Sequence, residues 1–310
     1  MAAAAALITQ VPSLGLRSPP VQLQLTNSGP TSSLRSHRRA LGLPLTGTLH
    51  SSSAAAVSRR RRNLASAPAS MLSENPLVSD FIAAGITGGI ALAVLRFWGE
   101  TAKRGLFDQK LTRKLVHVSV GLVFMLCWPL FSSGHQGAIL AALIPGVNII
   151  KMLLIGLGIW KDEATVKSMS RFGDHRELLK GPLYYASTIT LVSAFWICSP
   201  TGIATICCLC AGDGVADIVG RRFGTQKLPY NRNKSIAGSI AMATAGFLAS
   251  IVYMHYFTLF GYVKESWEMV LGFLVVSVAT ALVESHPMST DLDDNLTVPL
   301  ASILVSSFVF

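Results

Sequence analysis

Apolar residues along this chain come in long continuous runs, not in the alternating pattern of half-buried strands. Eight runs are legible, at 80–98, 116–133, 137–160, 183–198, 202–219, 236–260, 267–283 and 296–310. A bilayer span needs about 20 mainly apolar residues, with about 17–25 tolerated. Most runs qualify, although 183–198 and 296–310 are short. The third carries Lys151 and an Ile-Pro-Gly break at Ile144 to Gly146, so it reads either as a full span or as a broken helix. Unsatisfied backbone groups are too costly in lipid for anything but helices or closed barrels, and continuous runs select helices. The pattern predicts an all-α fold over residues 76–310, a polytopic transmembrane helical bundle of about seven spans, with six to eight allowed.

Composition agrees. The chain is 51% hydrophobic and 14% charged, with mean hydropathy +0.49, whereas soluble domains carry about 25% charged residues. The net charge of +10 resembles a nucleic-acid signal, but its location argues against a nucleic-acid partner. Arg17, Arg35, Arg38, Arg39 and Arg59 to Arg62 supply eight of those charges from a segment without Asp or Glu. That Ala-, Ser- and Arg-rich stretch lacks a signal-peptide apolar core and matches an organelle transit peptide. We expect a disordered chloroplast transit peptide over residues 1–65, with mitochondrial targeting or a basic cytosolic tail as alternatives.

With eight spans, the connections at 99–115, 161–182, 220–235 and 284–295 share one face. The first three hold Lys103, Arg104, Lys110, Arg113 and Lys114; Lys161, Lys167, Arg171, Arg176 and Lys180; and Arg221, Arg222, Lys227, Arg232 and Lys234. The short connections on the other face hold only Lys264. Positively charged loops stay on the side from which a membrane protein inserts, which predicts a stromal (or cytosolic) polar face. Cys127, Cys198, Cys207, Cys208 and Cys210 all lie in apolar runs at no zinc-site spacing, so they read as packing residues. The sequons at Asn233 and Asn295 read as accidental.

Candidate chemistry gathers on the polar face. Asp213 and Asp217 stand at i and i+4 and share one helix face after a stretch, Leu183 to Gly212, without any charge. Ionised groups in membrane helices usually serve a function. Two like charges side by side suit a divalent cation, and Mg²⁺ prefers carboxylate oxygen together with substrate phosphate. The alternative is ion pairing to Arg221 and Arg222 one turn on. The next segment combines Gly220 and Gly224, which permit close backbone approach, with Arg221, Arg222, Lys227 and Lys234 for phosphate oxygens. Ser235 and Ser239 can cap a helix starting near Ile236, and helix N-termini favour anions. Together these form a candidate Mg-nucleotide cradle, or else an ordinary basic loop.

The third element, "ESHPMSTDLDDNLTVPL", crowds Glu284, Asp291, Asp293 and Asp294 into a loop free of Lys and Arg, which suggests metal coordination or a catalytic base. His117 in "RKLVH" and Glu177 and Lys180 in "ELLKGPLYY" are weaker accessory candidates, with local hydrogen bonding or interface anchoring as their alternative roles. No Walker loop, G-x-G-x-x-G or protein-kinase signature is present.

With those residues in view, "KLVH", "ELLKGPLYY", "AGDGVADIVGRRFG", "NKSIAGS" and "ESHPMSTDLDDNLTVPL" resemble the polyprenol kinase family over residues 76–310, in the branch of chloroplast phytol and farnesol kinases. Phosphatidate cytidylyltransferases and dolichol kinases are more distantly similar. The resemblance implies CTP as phosphate donor, phytol or another long-chain isoprenoid alcohol as acceptor, and a place in phytol salvage for tocopherol. On this reading Asp213 and Asp217, with Asp293, hold Mg²⁺. Arg221, Arg222, Lys227, Lys234 and Ser235 bind the nucleotide, and an acid from the Asp291–Asp294 loop orients or deprotonates the alcohol. Farnesol or geranylgeraniol kinase, a CTP-dependent cytidylyltransferase and an ion-relaying transporter are the alternatives; no inverted repeat supports the last.

Overall fold

The computed structural model describes residues 75–310, the side chains of Thr290 and Asp291 excepted. The expected leader lies outside the described residues. Each apolar run forms a helix. These are α1 (Pro76–Arg104), α2 (Gln109–Leu126), α3 (His135–Gly156), α5 (Gly181–Trp196), α6 (Pro200–Phe223), α7 (Ile236–Leu259), α8 (Trp267–Ser285) and α10 (Asp294–Val309). Between them lie two short α-helices, α4 (Glu163–Met169) and α9 (Pro287–Asp291), two 3-10 turns at Trp128–Leu130 and His175–Leu179, and one hairpin, β1 (Lys227–Leu228) with β2 (Asn231–Ser235). Among the described residues, six helices are long and apolar enough to cross a membrane, while α5 and α10 have 16 residues each.

The third run is one continuous helix. Pro145 sits inside α3 without ending it, as membrane helices tolerate when neighbours absorb the lost backbone bond. Lys151 reaches the polar end of the bundle, where its ammonium lies 3.0 Å from Asp162 and 3.0 Å from Thr165 Oγ1.

α6 is the central helix. In its most apolar stretch 78% of residues are buried, against 22–44% for the other long helices. Its Cys207 and Leu209 share one core cluster with Trp128, Phe257 and Phe273 of neighbouring segments. Leu143, Val147, Leu248, Val252 and Leu282 face outward, in the arrangement lipid requires. Small residues set the closest approach: a Cβ on Gly220 would stand 3.3 Å from Ser235 Oγ and 3.7 Å from the Gly238 Cα. The closeness anticipated at Gly220 therefore serves helix packing of α6 on α7.

The two ends of the bundle differ in chemistry. At one end Asp80, buried in α1, accepts from the Ser132 amide (2.6 Å) and hydroxyl (2.7 Å), and Tyr262 donates to the Phe131 carbonyl. At the other end, the start of α2, the end of α8, the hairpin and the start of α10 come together.

Candidate active site

The local structure of α6 explains how a buried carboxylate is presented. Residues Cys208–Gly212 form a π-helical turn immediately before Asp213. There the Asp213 amide donates to the Cys208 carbonyl, five residues back. The Leu209 carbonyl is thereby released from its usual partner, and His117 Nε2 donates to it at 2.8 Å. A carbonyl only accepts, so this bond fixes the proton on Nε2. Such π-turns recur at functional sites because they re-aim the residues that follow. Asp213 is 2% exposed. Its Oδ2 lies 2.8 Å from Lys114 Nζ and 3.4 Å from His117 Nε2.

The hairpin positions the second half of the site. Asn231 Nδ2 donates to the Ser285 carbonyl at 3.0 Å, and Tyr230 OH bonds Ser285 Oγ at 2.9 Å, so β2 is tied to the end of α8. That tie sets Lys234 against Glu284, with which it forms an ion pair, and 3.1 Å from Asp294 Oδ2. Ser289 donates to the other Asp294 oxygen at 2.5 Å. Burial alone would lower the Lys234 pKa, but Asp294 and Glu284 outweigh it and raise the ammonium above the ordinary lysine value. Ser235 caps α7, accepting from the Gly238 amide at 3.1 Å.

The two halves meet. Asp213, Glu284 and Asp294 each bring one carboxylate oxygen to within 4.8 Å of the others. Three hard oxygen donors at this separation fit a divalent cation such as Mg²⁺. They open on a cavity of about 920 Å³. Arg113, Lys114, Arg171, Lys180, Arg221, Lys227 and Lys234 surround it, along with Asp217 and Asp293. Ser239 also lines the cavity, with its hydroxyl buried and without a hydrogen-bond partner.

The carboxylates that converge differ from the sequence expectation. Asp217 shares the Asp213 face, but Arg221 holds it at 2.8 Å. Asp293 caps α10, accepting from the Asn295 amide at 3.0 Å and from Asn295 Nδ2 at 2.6 Å. Glu284, the first acid of that acidic loop, is in the cluster. Arg222 is exposed and does not line the cavity. Glu177 accepts from the Arg171 and Phe172 amides and shapes the loop. The Asp291 side chain lies outside the described residues. Sequence reasoning passed over Lys114, although it precedes His117 by three positions on the same helix face. Arg171 and Ser289 carry no local signal that marks them for the site.

Comparison with known proteins adds the lineage. The chain is 68% identical over 240 residues to "Probable phytol kinase 3, chloroplastic" of Glycine max, covering 77% of this chain and 75% of that one. It is 64% identical over 241 residues to "Farnesol kinase, chloroplastic" of Arabidopsis thaliana, covering 77% and 78%. This chain belongs to the phytol kinase family. It is also 42% identical over 255 residues to "Phytol kinase 1, chloroplastic" of Arabidopsis thaliana, covering 81% and 83%. No family model matches the chain, and no solved structure is significantly similar to it.

Proposed function

We propose that the chain is a membrane-embedded kinase of isoprenoid alcohols, transferring the terminal phosphoryl group of CTP to phytol in a chloroplast membrane, with its polar face toward the stroma. The product, phytyl phosphate, feeds tocopherol synthesis. The observation that carries this reading is the convergence of Asp213, Glu284 and Asp294 on a cavity ringed by basic side chains, at the polar end of an apolar helical bundle. The names of the relatives support the acceptor class and the plastid location.

Phosphoryl transfer depends mainly on positioning and charge neutralisation. The alcohol oxygen attacks the γ-phosphorus, the bond to the β–γ bridging oxygen breaks, and the nucleoside diphosphate leaves. The hydroxyl proton passes to a carboxylate of the cluster, for which Asp294 is our assignment. Arg221, Lys227 and the Ser239 hydroxyl hold phosphate oxygens. Lys114 keeps Asp213 ionised and oriented. Asp213, Glu284 and Asp294 would hold Mg²⁺, which when bound supplies further neutralisation of the phosphate charge. A membrane site suits the substrate, because each CH₂ of its tail gains about 0.8 kcal/mol in lipid.

Farnesol is the second reading for the acceptor. Within Arabidopsis thaliana, this chain is 64% identical to the protein named farnesol kinase and 42% identical to the one named phytol kinase 1. A product assay decides both points. Purified protein in lipid is offered phytol, farnesol and geranylgeraniol, each with four γ-labelled nucleoside triphosphates. Label in phytyl phosphate with CTP alone supports the proposal. Preferred labelling of farnesol shifts the acceptor, and cytidine entering the lipid in place of label makes the protein a cytidylyltransferase.

A further inference from the structure

Beside the large cavity lies a second, smaller cleft of about 50 Å³. Leu95 of α1, Val116 and Val120 of α2, Met152 of α3 and Tyr185 of α5 give it an apolar wall. Two residues line both spaces, Arg113 and Asn295. Both carry a buried polar atom without a hydrogen-bond partner, Arg113 Nε and Asn295 Oδ1. Asn295 is 7% exposed, and its Nδ2 donates to Asp293 Oδ1 at 2.6 Å. That bond fixes the amide orientation, so the unpartnered Oδ1 is a genuine acceptor. An unsatisfied buried polar atom costs about 1–3 kcal/mol. Here one orphan donor and one orphan acceptor flank the junction of a polar and an apolar space.

We propose that this junction is the acceptor subsite: the alcohol hydroxyl docks between Arg113 and Asn295, with the first isoprene unit in the small cleft. The inference rests on the kinase reading above and names where its second substrate sits. A hydroxyl both accepts and donates, so it can complete both orphans, accepting from Arg113 Nε–H and donating to Asn295 Oδ1. Arg113 and Asn295 line the same cavity as the carboxylates Asp213 and Asp294, which puts the docked hydroxyl on the space where the nucleotide is proposed to sit. The cleft also sets what is recognised. At about 10–15 Å³ per water-sized group it takes about four such groups, the bulk of one branched five-carbon unit. The rest of a long chain is left to the bilayer. Acceptors sharing the same head unit are therefore bound alike whatever their length.

Full-length protein in lipid nanodiscs is assayed as wild type, Arg113→Lys, Asn295→Ala and Val120→Trp. The first two variants each lose one partner of the hydroxyl, and the third fills the cleft. The acceptor KM is expected to rise by a factor of about ten or more in each, the scale of one lost buried hydrogen bond or excluded group. In Val120→Trp, whose residue lines only the small cleft, the KM for the nucleotide stays at the wild-type value. A prenyl alcohol with a diazirine on its first isoprene unit is expected to label wild-type α2 and α5 around Val120 and Tyr185. This measurement needs no variant. An active wild type whose variants keep the acceptor KM, or whose label falls away from the residues lining the cleft, overturns the subsite alone. A wild type that phosphorylates no prenyl alcohol overturns the kinase reading as well.

Discussion

Lys114 and Asp213 are separated by 99 positions in the chain, yet their charged atoms lie 2.8 Å apart, with side chains only 8% and 3% exposed. A buried pair of this kind gains little over an apolar pair, but breaking it leaves one charge unpaired, at about 3–5 kcal/mol. Lys114→Met should therefore lower the melting temperature markedly. Lys114→Met with Asp213→Leu should recover most of that stability and none of the activity. Thermal melts in detergent, read alongside phosphorylation assays, check both. A double variant as unstable as Lys114→Met would show that the loss comes from packing and not from the orphaned carboxylate.

The oxygen cluster makes a metal prediction. Asp213, Glu284 and Asp294 are proposed to share one divalent ion, so chelation should abolish phosphorylation and added Mg²⁺ restore it. Glu284→Gln and Asp294→Asn should each reduce kcat by about 10² or more, on the scale seen when one group stabilising transition-state charge is removed. Both should also raise the Mg²⁺ concentration needed for half-maximal rate. Activity that survives exhaustive chelation would refute the assignment.

Asp217 gives a sharper comparison, because helical spacing alone makes it the twin of Asp213. In the structure its side chain is 25% exposed and paired with Arg221, which is 41% exposed. Exposed pairs of this sort contribute about 0–1 kcal/mol. Asp217→Asn should leave stability nearly unchanged and alter the nucleotide KM by releasing Arg221, with far less effect on kcat than Asp213→Asn. If the two variants prove equally inactive, the i, i+4 pair is the metal site after all.

The fold was legible because lipid demands long apolar helices, and eight apolar runs became eight helices. Most candidate side chains were legible by type, since acids and bases stand out against an apolar chain. Their partners were not. Asp217 met Arg221 because that arginine sits at i+4 on the same face, while Asp213 met Lys114 and Glu284 through tertiary contacts that no local pattern encodes. The π-turn at Cys208–Gly212 leaves no mark in composition, and it decides where Asp213 points. The two-stranded hairpin, short and charged, read as a basic loop, although its tie to Ser285 is what brings Lys234 to Glu284.

Lys234 supports a prediction about alkaline pH. Its pKa is raised because the pull of Asp294 and Glu284 outweighs the cost of burying the ammonium. A group with a raised folded-state pKa contributes its full stabilisation below the unfolded value, about 10.4 for lysine, and loses it only as pH climbs through the folded value. Between pH 7 and pH 9.5 the contribution of Lys234 should therefore be constant. Lys234→Met should lower the melting temperature by a similar amount across that range without tilting the curve. A wild-type melting temperature that falls over this interval while that of Lys234→Met stays flat would mean that the ammonium loses its proton early, and that the two carboxylates do not hold it charged.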